Sequence, residues 1–209
     1  MSQLTADFFA TILKMEGGYQ NRPDDNGNYN SCGELAGTNM GVSAVALSTF
    51  YDRCVQAPEM KALSKEAAFD FYAWYFDYYR LYQVENQEFA QLLMNNTMGS
   101  PTGAAKSEQR ALNRMGYSVS VDGNRGTQTI QALNDAWRKN PTGIYNTVRE
   151  EWIKYLQSIN KPQFMDGWMY RMNRFFPKKG FPTSGLQVDF LMLAIYAFAG
   201  YQLLKFAKA

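Results

Sequence analysis

Apolar residues near the start of the chain recur every three or four positions, at Leu4, Phe8, Ile12 and Met15. This is the spacing of side chains on one face of an α-helix, so the pattern predicts a helix here. Ser2 or Thr5 can cap its first turn, and the adjacent glycines Gly17 and Gly18 are expected to end it.

The same helical spacing covers most of the remaining sequence. It predicts helices over residues 42–57, 64–81, 86–98, 104–115, 127–137, 142–159 and 166–176. Ser64 and Thr127 are placed to cap two of them, and a break is expected over residues 96–104. Residues 20–41 are rich in Gly, Asn and Asp, which predicts a long loop, with or without a short hairpin. Such a long loop in a compact domain is usually functional. The fold class that follows is all-α.

The C-terminal residues 190–204 are apolar on every helical face, which is not the pattern of a surface helix. The run is shorter than the ~20 residues that span a bilayer. Lys205 and Lys208 follow it, as basic residues follow many membrane anchors. Two interpretations stay open: a buried or interface helix, and a membrane anchor that gives residues 186–208 a membrane contact.

Composition narrows the function classes. The chain has 209 residues, of which 46% are hydrophobic and 19% are charged, and this excludes an intrinsically disordered protein. A net charge of only +2 gives no sign of a nucleic-acid partner. Aromatic residues make up 15% of the chain, and most of the rings between Phe69 and Tyr78 are expected in the core.

The chain contains no histidine. A Ser-His-Asp triad, a Cys-His pair and an ordinary zinc site are therefore excluded, and no metal or organic cofactor is expected. The two cysteines, Cys32 and Cys54, are interpreted as free thiols, with a disulfide as the alternative for a chain that works outside the cytoplasm. Residues 1–15 lack the basic start and uninterrupted apolar run of a secretory signal.

Two carboxylates near the first helix carry the candidate chemistry. Glu16 follows the apolar face at the last turn, where burial and the negative end of the helix dipole both disfavour the charged form. Asp25, nine positions later, lies in a polar turn where a carboxylate stays ionised. Acid-catalysed cleavage of a glycosidic bond uses such a contrasting pair. The alternative is a solvated glutamate and an ordinary turn residue.

The surrounding segments resemble the N-terminal motif of the glycoside hydrolase family 108 lysozymes, the N-acetylmuramidase or secretion-activator family. The matching segments are Glu16-Gly17-Gly18-Tyr19, Asp24-Asp25-Asn26-Gly27 and Thr38-Asn39-Met40-Gly41-Val42-Ser43. The resemblance implies that Glu16 is the general acid, that Asp25 positions or activates water, and that Thr38 contacts that water.

The segment over residues 28–37 is longer than the family usually has. Ser31 is therefore an alternative to Thr38 as the hydroxyl, and Glu34 is an alternative to Asp25 as the second carboxylate. The nine-residue step between the first two carboxylates also resembles that of phage-type lysozymes, and it favours Asp25.

Further motifs resemble the same family and its C-terminal peptidoglycan-binding region. They are an aromatic helix over residues 71–79, an Asn-rich segment over 94–99, two stretches over 109–113 and 121–133, and Gly167-Trp168-Met169-Tyr170-Arg171. The substrate-binding residues that the resemblance implies are Tyr19, Asn95, Asn96, Asp122 and Trp168. The turn over residues 122–126 has a second interpretation, in which its glycines only shape the chain.

Together with the resemblance, the sequence predicts a mainly α, lysozyme-like, two-lobed enzyme. Residues 1–98 form the catalytic region, residues 99–185 a helical peptidoglycan-binding region, and residues 186–209 the apolar C-terminal helix.

The predicted reaction is hydrolysis of the β-1,4 bond between N-acetylmuramic acid and N-acetylglucosamine in bacterial peptidoglycan. The absence of a signal peptide suits an endolysin or virion-associated lysin that reaches the cell wall or periplasm after holin release or virion delivery. The alternatives are a non-catalytic peptidoglycan-binding module and a membrane-attached muralytic component of a phage particle or secretion apparatus.

Overall fold

The computed structural model describes residues 4–180, most of which lie in α-helices. The helices are α1 (Ala6–Met15), α2 (Ala44–Tyr51), α3 (Ala57–Lys61), α4 (Lys65–Tyr78), α5 (Gln87–Gly99), α6 (Pro101–Arg114), α7 (Thr127–Lys139), α8 (Pro141–Ser158) and α9 (Pro162–Phe175). The short strands are β1 (Thr38–Asn39) and β2 (Val42–Ser43), and 3-10 turns cover Asn26–Asn28 and Leu81–Gln83. The predicted mainly α, lysozyme-like fold is confirmed.

Helix α1 forms where the apolar spacing predicts it and buries Phe8, Phe9 and Ile12. Thr5 caps its start, because the Thr5 hydroxyl accepts a hydrogen bond from the Phe8 N–H at 3.2 Å. The helix ends because Glu16 adopts an extended conformation (φ −100°). The two glycines that follow do not adopt the left-handed conformation expected of a glycine cap.

Several predicted helix boundaries were wrong; α9, for example, begins at Pro162 and not at residue 166. The helix expected over residues 42–57 is only the shorter α2: Val42 and Ser43 form β2, and Asp52 adopts a left-handed conformation (φ 52°) that ends α2 well before α3 begins at Ala57. The break expected over residues 96–104 is only Ser100, which ends α5 and caps α6 by accepting a hydrogen bond from the Gly103 N–H at 3.2 Å. A proline follows at the first helical position, where its missing N–H costs nothing.

The long loop between α1 and α2 is tightly folded. Gln20 and Thr38 exchange backbone hydrogen bonds of 2.8 Å, so the start of the loop pairs with β1. Asn28 is fully buried, and its side chain donates to the Arg22 carbonyl at 2.8 Å. Strands β1 and β2 are antiparallel, with Thr38 opposite Ser43, and this hairpin leads directly into α2.

A disulfide joins Cys32 in this loop to Cys54, which follows α2. The interpretation of the two cysteines as free thiols was therefore wrong, and the alternative is correct. Helical periodicity carries no information on the distance between side chains 22 positions apart. The bond ties the long segment over residues 28–37 to the chain just before α3.

The core is centred on α5, α6 and α8, which pack against one another. An ion pair is buried among the apolar side chains: Arg125 donates through Nη2 to Glu108 at 2.5 Å, and the two side chains are only 4% and 0% exposed. The same guanidinium donates to the Tyr79 carbonyl at 2.8 Å and to the Thr97 hydroxyl at 2.9 Å. The pair therefore links residues on both sides of the α5–α6 junction, and its hydrogen-bonding groups are satisfied as a buried pair requires.

Within residues 4–180, none of the helices has the length and apolarity needed to span a bilayer. The apolar C-terminal helix expected over residues 186–209, with the membrane contact considered for residues 186–208, lies outside the described residues.

Candidate active site

Glu16 lies in a cleft of about 190 Å³. The walls come from the end of α1, the turn between β1 and β2, and helices α5, α8 and α9. The lining includes the polar residues Glu16, Asn95 and Arg171 and the large apolar residues Met98, Trp152 and Trp168. Ligand sites combine apolar walls with a few convergent polar groups, and this cleft has both. Three of the predicted site residues, Glu16, Asn95 and Trp168, are thus brought together.

The Glu16 carboxylate contacts an arginine from α9. Arg171 Nη2 donates to Glu16 Oε1 at 2.6 Å, and Arg171 Nε donates to Asn95 Oδ1 at 2.7 Å. The Glu16 side chain is 19% exposed and that of Arg171 is 27% exposed, so the pair is largely screened from water. Glu16 is therefore partly buried as predicted, but a guanidinium lies against it where the sequence predicted apolar surroundings.

The turn between β1 and β2 packs directly on Glu16. Gly41 adopts a left-handed conformation (φ 75°), and a Cβ atom at this position would lie 2.5 Å from Glu16 Cγ. The Tyr72 hydroxyl donates to the Met40 carbonyl at 2.9 Å and holds the turn in place. Burial, and then the nearby Glu16 carboxylate, raise the pKa of Tyr72 well above its usual value, so the phenol stays protonated and can donate.

Asp25 and Thr38 belong to one hydrogen-bond network in the long loop. Asp25 Oδ1 accepts from the Gly27 N–H at 3.0 Å, and its Oδ2 accepts from Gln20 Nε2 at 3.3 Å. Gln20 Nε2 also donates to Asn28 Oδ1 at 2.9 Å, and the Thr38 hydroxyl donates to the same oxygen at 2.7 Å. The structure therefore brings Asp25 and Thr38 together through two amide side chains. Neither residue is among those that line the Glu16 cleft.

The alternative residues Ser31 and Glu34 lie between Asp25 and Thr38 in the sequence of this loop. The Ser31 hydroxyl is 3.4 Å from Cys54 Sγ, beside the disulfide. Glu34 accepts hydrogen bonds from Asn30 at 2.9 Å and Gln56 at 2.7 Å. These two bonds, that from Asn30 first, lower the pKa of Glu34. Both residues tie the loop to the segment before α3.

Three other predicted substrate-binding residues do not line the cleft. The Tyr19 hydroxyl donates to the Ala36 carbonyl at 3.1 Å and so braces the loop. Asn96 is fully buried beside Asn95, and within the described residues its Nδ2 has no hydrogen-bond partner. Asp122 accepts from Gln109 Nε2 at 2.7 Å within a separate turn.

The turn over residues 122–126 is held against α6 by hydrogen bonds to Gln109. Gly123 adopts a left-handed conformation (φ 82°), and its N–H donates to Gln109 Oε1 at 2.9 Å. Hydrogen bonds from the Asn124 N–H and then from Gln109 lower the pKa of Asp122. Gly126 is the N-cap of α7, so the prediction that Thr127 caps this helix was wrong.

Residues 9–100 match the family described as glycosyl hydrolase 108, and residues 103–173 match the predicted peptidoglycan domain. The chain belongs to the glycosyl hydrolase 108 family. The protein is therefore a glycoside hydrolase with a peptidoglycan-binding region, and peptidoglycan is its partner.

A solved structure is similar to this family 108 chain over most of its length. It is described as the structure of Brucella abortus SagA, and it is 27% identical with a TM-score of 0.63. The match covers 82% of this chain and 92% of that chain. Among curated proteins, none matches the chain in sequence.

In this family 108 protein, two further residues of the cleft to which the sequence assigned no role are Arg171 and Trp152. Trp168 and Arg171 are three positions apart, which places them on one face of α9. The Gly-Trp-x-x-Arg spacing was therefore a usable signal for Arg171. In the sequence, Trp152 is recognisable only as part of the apolar face of α8. Among the described residues there is no group of three or more His, Cys, Asp or Glu side chains arranged to hold a metal ion.

Proposed function

We propose that this protein is a lysozyme-type muramidase, which hydrolyses the β-1,4 bond between N-acetylmuramic acid and N-acetylglucosamine. The observation that supports this proposal most directly is the partly buried Glu16 carboxylate in a cleft lined by tryptophan, methionine and amide side chains. Aromatic rings suit the apolar faces of a pyranose, and amides suit its hydroxyl and N-acetyl groups. A carboxylic acid in such a cleft is the general acid of most glycoside hydrolases.

In the proposed mechanism, Glu16 protonates the leaving oxygen while positive charge develops on the sugar ring. Arg171 and Asn95 position its carboxylate, since one guanidinium contacts both side chains. Because Arg171 binds Glu16 Oε1, Oε2 is the oxygen that carries the proton to the leaving group. Trp168 stacks on a sugar in the cleft.

Asp25 stabilises the developing charge or orients the attacking water, and the Thr38 hydroxyl helps to hold that water. This part of the proposal is supported by the network that joins the two residues through Gln20 and Asn28. An ionised carboxylate that positions water implies inversion of the anomeric configuration. The setting that we propose is a phage-type endolysin or virion-associated lysin acting on the cell wall.

The test is hydrolysis of purified peptidoglycan followed by turbidity and by mass analysis of the released fragments. The wild-type chain should release fragments with new reducing-end muramic acid, and Glu16→Gln should release none because the amide carries no transferable proton. Glu34→Gln is the matched control and should retain activity. Anhydro-muramic products would indicate a lytic transglycosylase, and free peptides would contradict a glycosidase.

A further inference from the structure

A second cavity, of about 370 Å³, lies where the end of α4 meets the start of α6. Its lining comes from Tyr78, Tyr79 and Arg80, from Thr102 on α6, and from the turn residues Asn124 and Arg125, among others. It shares no lining residue with the Glu16 cleft. Two sequence motifs to which the reaction assigns no role, the aromatic helix and the turn over residues 122–126, meet here.

The inner wall of this cavity is held by buried contacts. Arg125 donates through Nη1 to the Tyr79 carbonyl at 2.8 Å, while Glu108 neutralises its charge from within the core. Gly123 approaches α6 so closely that a Cβ atom would lie 2.7 Å from Thr102 Cγ2. These contacts hold the inner wall of the cavity in place at the junction between the two family regions.

The outer wall exposes an aromatic ring and small polar groups. Tyr78 is 60% exposed, although its ring centroid lies 5.0 Å from those of both Trp74 and Tyr79. Thr102 and Asn124 are also exposed and add a hydroxyl and an amide. Because Arg125 is already paired, Arg80 is the lining residue that adds a solvent-facing charge. An aromatic ring beside a hydroxyl and an amide suits a neutral amphipathic ring better than an anion.

We propose that this cavity binds a saccharide unit of the peptidoglycan glycan strand at a distance from the cleaved bond, with Tyr78 stacking on the sugar. The site then holds the enzyme on polymeric wall material while the Glu16 cleft works on another part of the strand. Two linked sites on one polymer raise the apparent affinity through effective concentration. The proposal rests on the muramidase function for its substrate class and on the second cavity for its location.

The test is sedimentation of the protein with insoluble peptidoglycan, using chains that carry Glu16→Gln so that the wall is not digested. Adding Tyr78→Ala should weaken binding about 10-fold, which corresponds to a loss of about 1.4 kcal/mol of stacking. Tyr78→Phe keeps the ring and should bind normally. Tyr51→Ala removes another exposed tyrosine that does not line the cavity and is the matched control. Peptide-free glycan strands should compete, and isolated stem peptides should not.

With Glu16 intact, Tyr78→Ala should cleave short soluble glycan fragments at the wild-type rate and whole peptidoglycan more slowly. Unchanged sedimentation of Tyr78→Ala would overturn the proposal, and so would competition by stem peptides alone. Loss of binding in Tyr78→Phe as well as in Tyr78→Ala would exclude stacking. Binding is measured without catalysis, so the two proposals can fail separately. If the muramidase function is wrong, the wild-type chain will be inactive but its binding to peptidoglycan will still depend on Tyr78.

Discussion

At the scale of single residues, Glu16 receives its ionic contact from Arg171, which lies 155 positions further along the chain. Arg171 Nε is fixed by Asn95, so the plane of the guanidinium is set at two points and the carboxylate has a defined orientation. Catalysis by a positioned acid is sensitive to displacements of about 1 Å, which can cost ~10²-fold in rate. Arg171 is accordingly a positioning residue whose removal acts through Glu16.

We expect Arg171→Met to lower kcat about 10²-fold with a smaller change in KM, because the carboxylate loses its orientation while the cleft keeps its walls. Arg171→Lys keeps the charge without the second nitrogen and should recover part of the rate. The measurement is steady-state hydrolysis of soluble glycan fragments. Arg174→Met, an exposed arginine on the same helix, is the control. A wild-type kcat in Arg171→Met would show that the contact has no role in positioning.

The position of the Glu16 side chain also requires a glycine at residue 41. A side chain here meets Glu16 Cγ at 2.5 Å and the Tyr72 hydroxyl at 2.6 Å, in a backbone conformation that favours glycine. We expect Gly41→Ala to lower activity more than about 10-fold and stability by roughly 1–3 kcal/mol. Turbidity loss and thermal unfolding measure the two effects. Gly17→Ala, where a Cβ meets nothing within 4 Å, should behave as wild type. Equal losses in both variants would refute the steric explanation.

At the scale of elements, the sequence predicted helices well and their junctions less well. Helical spacing of apolar residues locates α1 and α8 because each buries one face against the core. The spacing of apolar residues cannot show that Asp52 adopts a left-handed backbone conformation and ends α2, since the apolar pattern continues beyond Asp52. It also overestimates the gap after α5, because Ser100 alone both ends one helix and caps the next.

The candidate site likewise has parts that the sequence predicts and parts that it does not. The motif around Glu16 is local, so the end of α1 and its carboxylate were predictable from neighbouring residues. Trp168 was found because its motif is recognisable, yet its position beside Asn95 depends on how α9 packs. The Glu16–Arg171 contact and the Cys32–Cys54 bond join distant segments, and no periodicity within either segment encodes them.

The Cys32–Cys54 disulfide cross-links the long loop to the segment after α2. A cross-link between residues 22 positions apart removes conformational entropy from the unfolded chain and should stabilise the fold by about 3 kcal/mol. Replacing Cys32 and Cys54 together by serine should lower the free energy of unfolding by that amount in denaturant titrations. A reductant should lower the stability of the wild-type chain to a similar extent and leave the double variant unchanged. Two titratable thiols in the unreduced, unfolded wild-type chain would contradict the bond.

At the scale of the whole molecule, the two family regions share both a cleft and a core. Glu16 and Asn95 come from the glycosyl hydrolase 108 region, whereas Trp168 and Arg171 come from the predicted peptidoglycan domain. The peptidoglycan domain therefore builds part of the candidate active site in addition to any role in wall binding. The fully buried Glu108–Arg125 pair reinforces this union, because Arg125 also donates to the Thr97 hydroxyl on α5.

This shared core predicts that the two regions unfold together. Arg125→Met leaves the Glu108 carboxylate buried without its partner, which costs about 3–5 kcal/mol and lowers Tm by roughly 10 °C. In calorimetry, the two regions should unfold in one transition in the wild-type chain, and that whole transition should shift in the variant. Arg110→Met, an exposed arginine on α6, is the control and should unfold at the wild-type temperature. If the two regions were independent modules, they would give two transitions, and only the one that belongs to residues 103–173 would move. A single shifted transition would instead tie the stability of the Glu16 cleft to an ion pair in the peptidoglycan domain.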